Sequence, residues 1–213
     1  MIALIKTPLQ LICFSEFIRS NQVVNYKLII NSRSGRELIQ VNHLAKQLDL
    51  DIYKIIETKR FYTYFSIFFY SLINFNQNQV LIGNLYDNHN IFFLKLFGKK
   101  KKILVDDGMA TIKAYNDLNK CSHQSNIKFT NDITLFTFFN FPNSSNLLIK
   151  THTFAHLKSK QEESLIKYGH IFIGQPLVET NIISQVDYLK YLQIIKRKKT
   201  KIYYLPHRRE TNK

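Results

Sequence analysis

The sequence contains few cysteines, the residues that form disulfides and bind structural metal ions. Its 213 residues include two cysteines, six glycines, four prolines and no tryptophan. Two cysteines, Cys13 and Cys121, cannot form a disulfide framework, and their spacing matches no zinc motif. We therefore expect a protein of a reducing, cytosolic compartment, with Cys13 as a buried thiol inside an apolar run.

Acidic residues are scarce relative to basic ones. The chain has 30 Lys and Arg against 15 Asp and Glu, a net charge of +15. This balance indicates an anionic partner: nucleic acid, an acidic membrane surface, or a phosphorylated or sialylated substrate. The basic runs at 99–102 and 196–199 each stand just before a strand, which favours solvated loop ends over a nucleic-acid stripe.

No apolar run is long enough to cross a bilayer. The longest candidate, residues 61–75, is uncharged, but a membrane span needs about 20 residues. We expect a buried helix there, with a helix at the membrane interface as the alternative, because Lys59 and Arg60 precede it and aromatic side chains suit the headgroup region. The N-terminus lacks a small-residue cleavage site and is typical of a first strand and helix.

Short apolar runs alternate with helix-like stretches along the chain. "MIALIK", "YKLIIN", "DIYKII", "QVLIGNL" and "KKILVDDG" have the length and composition of strands, and the segments between them have helical spacing. This alternation predicts an α/β protein with a mostly parallel sheet covered on both faces. Ligands of such sheets bind beyond the carboxyl ends of the strands, which singles out "KTPLQ", "DDG" and "PHRRE".

The chain is predicted to contain two domains. The alternation weakens between about residues 112 and 160 and resumes with "HIFIGQP", a patterned helix and "KIYYLP". We therefore expect a Rossmann-like N-terminal domain over 1–160 and the first β-α-β unit of a second Rossmann-like domain over 161–213. About 45 residues are too few for a complete domain, so the second one is expected to be incomplete.

Two neighbouring carboxylates are the first candidates for chemistry. Asp106 and Asp107 leave a buried strand, and Gly108 permits a sharp turn that exposes one of them. Such a carboxylate could act as a general base or bind a divalent metal, and an ordinary Asp-Gly turn is the simpler interpretation. The sequence does not decide which of the two faces a ligand.

Residues near the end of the chain form the second candidate group. His207, Arg208 and Arg209 follow the last strand, and a histidine beside two arginines suits a phosphate, although a basic solvated terminus is equally compatible. Gly174 and Gln175 follow the preceding strand in the same way.

Metal binding has little support in the sequence. His152 and His156 stand four residues apart, but no acidic third ligand lies nearby in the sequence, so we predict no metal site. The chain also has no GxGxxG, P-loop or HExxH motif.

Taken in order, "TPLQ", "DDG", "FIGQPLVE" and "YLPHRRE" resemble motifs of bacterial sialyltransferases of the polysialyltransferase and lipooligosaccharide sialyltransferase group. The likeness covers essentially the whole chain. It implies a GT-B-like enzyme that transfers sialic acid from CMP-sialic acid, with inversion, to a glycan acceptor of a capsule or lipooligosaccharide. Many members of the group have His-Pro where this chain has His207-Arg208.

The resemblance also implies roles for particular residues. The acidic pair supplies the general base, with Asp106 favoured over Asp107, and His207 assists departure of the CMP phosphate with Arg208 or Arg209. A further set is expected to contact the donor or acceptor: Gly174, Gln175, Thr7 and Gln10. No obligatory metal or other cofactor is expected, since histidine and arginine can neutralise the leaving group.

Several further expectations accompany this hypothesis. The enzyme is expected in the cytoplasm, with peripheral association to the anionic inner surface of the membrane as an option, and the shortened second domain is expected to impair activity. Two alternatives remain: a GT-B transferase for another sugar nucleotide such as CMP-Kdo, and a non-catalytic basic module that binds nucleic acid or anionic lipid. The sequence does not predict the acceptor, the linkage or the oligomeric state.

Overall fold

The chain folds into two compact units in the computed structural model, Met1–Lys160 and Gln161–Lys213. The structure describes residues 1–32, 35–119, 133–142, 147–161, 170–173, 178, 183–198 and 202–205. The resemblance to sialyltransferases also implies an acceptor-side role for residues 1–160 and a nucleotide-sugar-binding role for residues 161–213, and both roles stay predictions.

The first unit is built on a parallel sheet. Its strands are β1 (Ile2–Ile5), β2 (Lys27–Ser32), β3 (Ile52–Glu57), β4 (Gln79–Ile82), β5 (Lys101–Val105), β6 (Ile133–Thr137) and β7 (Leu148–Thr151). They pair in the order β3-β2-β1-β4-β5-β6-β7, and every neighbouring pair is parallel. This Rossmann-like order confirms the α/β class predicted from the alternation of strands and helices.

The strand order places a switch point between β1 and β4. The chain runs outward from β1 to β3, returns to the middle of the sheet at β4, and then runs outward again to β7. The connections on the two sides of this point leave the sheet on opposite faces, which opens a crevice at the carboxyl ends of β1 and β4. Residues directly after these two strands are therefore in position to bind a ligand.

Helices connect the strands of the first unit and follow the last of them. They are α1 (Pro8–Ser20), α2 (Arg36–Gln47), α3 (Arg60–Ile73), α4 (Asn88–Leu96), α5 (Met109–Asn119) and α6 (Ala155–Gln161). Pro8 occupies the first turn of α1, where proline is tolerated because the N–H that it lacks would have no intrahelical partner. The N-terminal cap of α2 is Gly35, with a φ of 91°.

The core lies on both faces of the sheet because side chains alternate along each strand. Ala3 and Ile5 of β1 pack in one cluster with Phe14 of α1. Ile2 and Leu4 point the other way and pack in a second cluster with residues of α4 and α5. Each large side chain buried in these clusters stabilises the fold by roughly 1.5–3 kcal/mol, which holds the helices against the sheet.

The second unit contains a β-α-β element. It consists of β8 (His170–Ile173), α7 (Gln185–Lys198) and β9 (Ile202–Leu205), and β8 pairs in parallel with β9. The N-terminus of α7 is capped by Ser184, whose hydroxyl accepts a hydrogen bond of 3.1 Å from the N–H of Asp187. The parallel β-α-β element predicted for this part of the chain is confirmed.

The helix predicted to be buried, α3, is exposed along one side. Ile67 is fully buried, but Phe61 is 88% exposed and Phe65 is 69% exposed. The prediction of a buried helix is wrong because helical spacing turns only part of the apolar run toward the sheet. Among the described residues, no helix has both the length and the apolar character that crossing a membrane requires.

Candidate functional site

Polar side chains gather at the carboxyl ends of β1, β4 and β5. Lys6 and Thr7 follow β1, Asn84 follows β4 after Gly83, and Asp107 follows β5 after Asp106. These strands are separated in the chain by tens of residues and are neighbours in the sheet. The sheet therefore assembles the group, which we call the carboxyl-edge site, at its switch point.

Asp107 is the central carboxylate of the carboxyl-edge site. It is partly exposed; Thr7 Oγ1 donates to its Oδ1 at 3.2 Å, and Asn84 Nδ2 donates to its Oδ2 at 2.7 Å. Its own N–H donates to Thr111 Oγ1 at 2.8 Å, which fixes the backbone at the start of α5. Gly108 follows with a φ of 65°, a conformation that glycine adopts without strain. The carboxylate is thus held in one orientation and still reachable.

Thr7 has two functions in the structure. Besides its bond to Asp107, its hydroxyl caps α1 by accepting from the N–H of Gln10 at 3.3 Å. One hydroxyl can donate to the carboxylate and accept from the helix at once. The cap therefore orients the hydroxyl toward the carboxyl edge, and Thr7 lies where the sequence placed it, next to a candidate ligand site.

Gln10, which the sequence also placed near a ligand, is buried in the structure. It is 1% exposed, and its Oε1 accepts from the backbone N–H of Lys6 at 2.9 Å. A Cβ added at Gly83 would lie 2.1 Å from the Gln10 side chain, so these two residues are in close contact. Gln10 positions the ends of β1 and β4 rather than offering a free polar group.

A partly buried ion pair flanks the site. Lys6 Nζ lies 2.6 Å from Asp87 Oδ2, and Asp87 also caps α4 by accepting from the N–H groups of His89 and Asn90. Burial opposes ionisation of Asp87, but the hydrogen bond and charge of Lys6 outweigh it, and the pKa of Asp87 is lowered. Burial lowers the pKa of His89 despite the nearby Asp87 carboxylate. Asp87 is therefore an anion at neutral pH and His89 is neutral.

Asp106 has a different environment from its neighbour Asp107. It is fully buried, and its Oδ2 accepts from the N–H of Phe138 at 2.7 Å and lies 3.6 Å from His152 Nε2. The His152 ring stacks on Phe136 at a centroid distance of 4.4 Å. Asp106 thus ties the end of β5 to the end of β6. Its burial argues against the preference for Asp106 as a base that contacts substrate.

Among the described residues, one group could hold a metal ion. Ligand atoms of Cys13, Asp106 and His152 all lie within 4.8 Å of one another, and all three residues are buried. Burial and the negative charge of Asp106 raise the pKa of the Cys13 thiol well above its usual range. Without a metal the thiol is therefore protonated. The expectation that no metal is required stays a prediction.

The sequence missed three members of the site that lie in the described part of the chain. Lys6, Asn84 and Asp87 were not selected, although Lys6 stands in the quoted "KTPLQ" and Asn84 ends "QVLIGN". The signal that could have found them is their position after strands β1 and β4. What the sequence could not show is that these two strands are neighbours.

The predicted phosphate-binding residues fall outside the described residues. Gly174 and Gln175 follow β8, and His207, Arg208 and Arg209 follow β9 with one residue between. Their predicted role therefore stays a prediction.

The fold and the carboxyl-edge site together define a Rossmann-like α/β protein with a polar crevice at its switch point. No family model matches the sequence, and no curated protein matches it either. Solved structures do match the fold.

Three structures illustrate this match. The UDP-GlcNAc 2-epimerase from Neisseria meningitidis bound to UDP-GlcNAc is 12% identical, with a TM-score of 0.59 over 98% of this chain and 66% of that one. MnaA from S. aureus, in a co-structure with UDP, is 9% identical, with a TM-score of 0.61 over 97% of this chain and 62% of that one. A protein from Listeria monocytogenes assigned as a UDP-N-acetylglucosamine 2-epimerase is 10% identical, with a TM-score of 0.55 over 97% and 68%. At such identities the likeness concerns the fold, and the chain spans about two thirds of the length of these proteins.

These neighbours correct the functional interpretation of the sequence. The resemblance to sialyltransferases is wrong, and so is the predicted transfer from CMP-sialic acid to a capsule or lipooligosaccharide, because the matching structures are UDP-GlcNAc 2-epimerases. The alternatives, a CMP-Kdo transferase and a non-catalytic basic module, gain no support either. The GT-B-like fold that the resemblance implied is retained, since these epimerases share it.

The error has a physical cause. Each quoted motif is a few residues long and stands directly after a strand. Any Rossmann-like sheet presents polar residues at that edge, whatever nucleotide it binds. Short motifs of this kind therefore predict the position of a site better than they predict its ligand.

Proposed function

We propose that this chain is part of a nucleotide-sugar enzyme that binds a UDP-sugar of the UDP-GlcNAc type and inverts its C2 centre. Two observations support the proposal: the fold matches structures named for this activity, and two of these contain UDP-GlcNAc or UDP. The chain spans 62–68% of the length of those proteins, and their activity is therefore a proposal for this chain.

The observation that carries the proposal is the geometry around Asp107. Thr7 and Asn84, from two other strands, each donate a hydrogen bond to one of its carboxylate oxygens. A carboxylate held by two donors at a topological switch point is positioned toward the crevice in which such sheets bind ligands. We infer that the sugar ring of the UDP-sugar lies over Asp107.

Inversion at C2 requires that the C2–H bond breaks on one face of the ring and reforms on the other. Because no carbonyl group lies next to C2, the electron pair of that bond forms a C1–C2 double bond as the nucleoside diphosphate leaves C1, and the return of the proton and of the diphosphate reverses both changes. A positioned carboxylate can take or return that proton once it lies within hydrogen-bond reach of the substrate. We assign this role to Asp107. Thr7 and Asn84 act as positioning residues, since they orient the carboxylate and leave its remaining lone pairs toward the crevice.

The Lys6–Asp87 pair is assigned to substrate orientation. Its side chains are 26% and 18% exposed, so both groups lie at the border of the carboxyl edge. A charged pair that is already formed costs little to keep in place when a polar ligand arrives, and sugar hydroxyls can exchange hydrogen bonds with both partners. The pair therefore suits a hydroxyl-rich ligand.

Phosphate binding stays the proposed role of the residues predicted for it, which lie outside the described residues and are proposed from their chemistry alone. Arg208 and Arg209 offer bidentate hydrogen bonds to phosphate oxygens, and His207 can donate one more. Gly174 and Gln175 follow β8 in the corresponding position. This chemistry does not depend on the base of the nucleotide, so the assignment carries over from CMP to UDP. The net charge of +15 favours such an anionic ligand.

Calorimetric titration of the purified chain with UDP-GlcNAc, UDP and CMP tests the proposal. We expect UDP ligands to bind at least tenfold more tightly than CMP, with UDP-GlcNAc favoured over UDP because the sugar contacts the carboxyl edge. Asp107→Ala should remove the advantage of UDP-GlcNAc over UDP and leave UDP binding unchanged. Asp51→Ala, an exposed carboxylate of the same unit, is the matched control. Equal or tighter binding of CMP would contradict the proposal.

A further inference from the structure

Helix α3 presents a large apolar surface on its outer side. The exposed apolar side chains, which we call the aromatic face, are Phe61, Tyr62, Phe65, Phe68, Phe69, Leu72, Ile73 and, just beyond the helix, Phe75, each between 44% and 88% exposed. Single exposed apolar residues are common on protein surfaces. A contiguous set of this size marks an interaction surface.

The inner side of the same helix is unusually polar. Thr63, Ser66 and Ser71 are buried together with Ile67, and Thr63 Oγ1 accepts from the N–H of Lys59 at 2.7 Å. A helix that only needed to cover the sheet would turn its phenylalanines inward, because burial of each would stabilise the fold by roughly 2–3 kcal/mol. The sequence instead keeps small polar residues inside and large apolar ones outside, which indicates that the outer side has a partner.

Basic residues border the aromatic face. From residue 57 to residue 105 the sequence has seven basic residues and two acidic residues, Glu57 and Asp87. Lys54 Nζ lies 5.3 Å from the centroid of the Tyr70 ring, on the flank of α3, and Lys100 Nζ lies 5.5 Å from that of Phe75, at its end. Lys59, at the other end of the helix, is 69% exposed and pairs with Glu57 at 3.0 Å. The surrounding charge is thus positive on balance.

The positive charge around the aromatic face favours one of two possible partners, a second copy of the chain or a lipid bilayer. Two copies of the chain that met through the aromatic face would bring the same positive fringe together, and like charges at an interface cost free energy. A bilayer with anionic phospholipid offers the complementary arrangement: acyl chains for the phenylalanines and leucine, and headgroup charges for the lysines. Tyr62, with an apolar ring and a polar hydroxyl, suits the boundary between these layers.

We propose that the aromatic face docks the protein on the surface of a membrane that contains anionic phospholipid. The helix lies along the interface, since its 14 residues are too few to cross a bilayer, which needs about 20. The proposal does not rest on UDP-sugar binding.

Flotation of the chain with lipid vesicles, without any nucleotide sugar, tests the proposal. One set of vesicles is phosphatidylcholine alone, and the other contains about one third phosphatidylglycerol. We expect the wild-type chain to float with the anionic vesicles at least tenfold more than with the neutral ones. Added salt should weaken this binding only in part, because the charge contribution is screened and the apolar contribution is not.

Two variants distinguish binding through the aromatic face from non-specific binding by exposed apolar side chains. Phe65→Gln/Phe69→Gln removes two exposed rings of the face and should reduce flotation at least tenfold. Val24→Gln/Ile39→Gln replaces apolar residues that are 85% and 68% exposed elsewhere on the same unit and should leave flotation unchanged. Circular dichroism verifies that both variants fold.

A measurement on the wild-type chain keeps the test independent of the variants. Anionic vesicles should protect amides of residues 61–75 from hydrogen exchange and should leave those of α1 unaffected. The proposal is overturned if the chain does not float with anionic vesicles or if both variants float equally well. It is also overturned if the chain binds no vesicles and the Phe65→Gln/Phe69→Gln variant instead abolishes dimer formation or binding to an oligonucleotide.

Discussion

The carboxyl-edge site and the aromatic face are two exposed regions of one folding unit that are built in opposite ways. The carboxyl edge is assembled from residues that are distant in the sequence, and its polar groups bond to one another. The aromatic face comes from one stretch of 15 residues, and its side chains are 44–88% exposed. The first arrangement fixes atoms in place, as chemistry requires, whereas the second offers a surface to something larger.

The largest expected effect is on the chemistry of the carboxyl edge. Asp107→Asn keeps the shape of the side chain and removes its ability to accept a proton, so turnover should fall by about 10²–10⁴-fold. The measurement is exchange of the C2 hydrogen of UDP-GlcNAc with solvent deuterium, followed by NMR. Asp51→Asn, at an exposed position outside the site, should leave the rate unchanged. A fully active Asp107→Asn variant would remove Asp107 from the mechanism.

The next largest effect is on the free energy of unfolding, which should respond differently to substitution of the two adjacent carboxylates. Asp106→Ala removes a fully buried side chain and leaves the N–H of Phe138 without its acceptor, so the free energy of unfolding should fall by about 3 kcal/mol. Asp107→Ala should cost less than about 1 kcal/mol, because Thr7 and Asn84 can bond to water instead. Urea unfolding followed by circular dichroism measures both. Equal costs for the two variants would show that the environments do not differ as the structure describes.

A pair of substitutions compares the two sides of α3. Ile67 is fully buried, so Ile67→Ala should lower the free energy of unfolding by about 3 kcal/mol. Phe65 is 69% exposed, so Phe65→Ala should change the free energy of unfolding by no more than about 0.5 kcal/mol, although this substitution removes a larger side chain. Thermal unfolding of the two variants gives the comparison. A Phe65→Ala cost as large as that of Ile67→Ala would mean that the aromatic face is packed against protein.

The smallest effect is a pH dependence at the border of the carboxyl edge. The pKa of His89 is lowered by burial from an ordinary value of 6.5, so the unfolded chain takes up this proton before the folded chain does. The free energy of unfolding should therefore fall as pH decreases below 6.5, and His89→Gln should flatten this slope. The pKa of Asp87 is also lowered, so Asp87 stabilises the fold above pH 3.8. This contribution is lost only at lower pH and does not affect the slope between pH 7.5 and 5.5. An unchanged slope between pH 7.5 and 5.5 in His89→Gln would contradict the assignment.

The sequence predicted the fold well because the signals for the fold are local. Short continuous apolar runs such as "MIALIK" and helical spacing in the segments between them are visible within a window of ten residues. The predicted position of Thr7 and Asp107 after strands was correct for the same reason. Pro8 and Gly98 mark helix ends that the structure contains.

The residues that form the site, and the ligand of the site, were predicted less well from the sequence, because both depend on contacts between residues that are distant in the chain. Nothing local shows that Asn84 lies beside Asp107, or that Asp106 turns inward to Phe138 and His152. The burial of α3 was also mispredicted, since an apolar composition does not say which side of a helix meets the sheet. The CMP donor was mispredicted because it was inferred from a resemblance of short motifs, and such motifs mark the edge of a sheet and do not identify the base of a nucleotide.

The measurement that tests the central claim most directly is mapping of UDP-GlcNAc onto the chain by amide chemical shifts. The carboxyl-edge assignment predicts that UDP-GlcNAc shifts the amides of Thr7, Asn84 and Asp107, that UDP shifts them less, and that CMP leaves them in place. Amides of the aromatic face should not respond to any of the three. Shifts confined to residues away from the carboxyl edge, or equal shifts with CMP, would contradict the claim that this edge binds the sugar of a UDP-sugar.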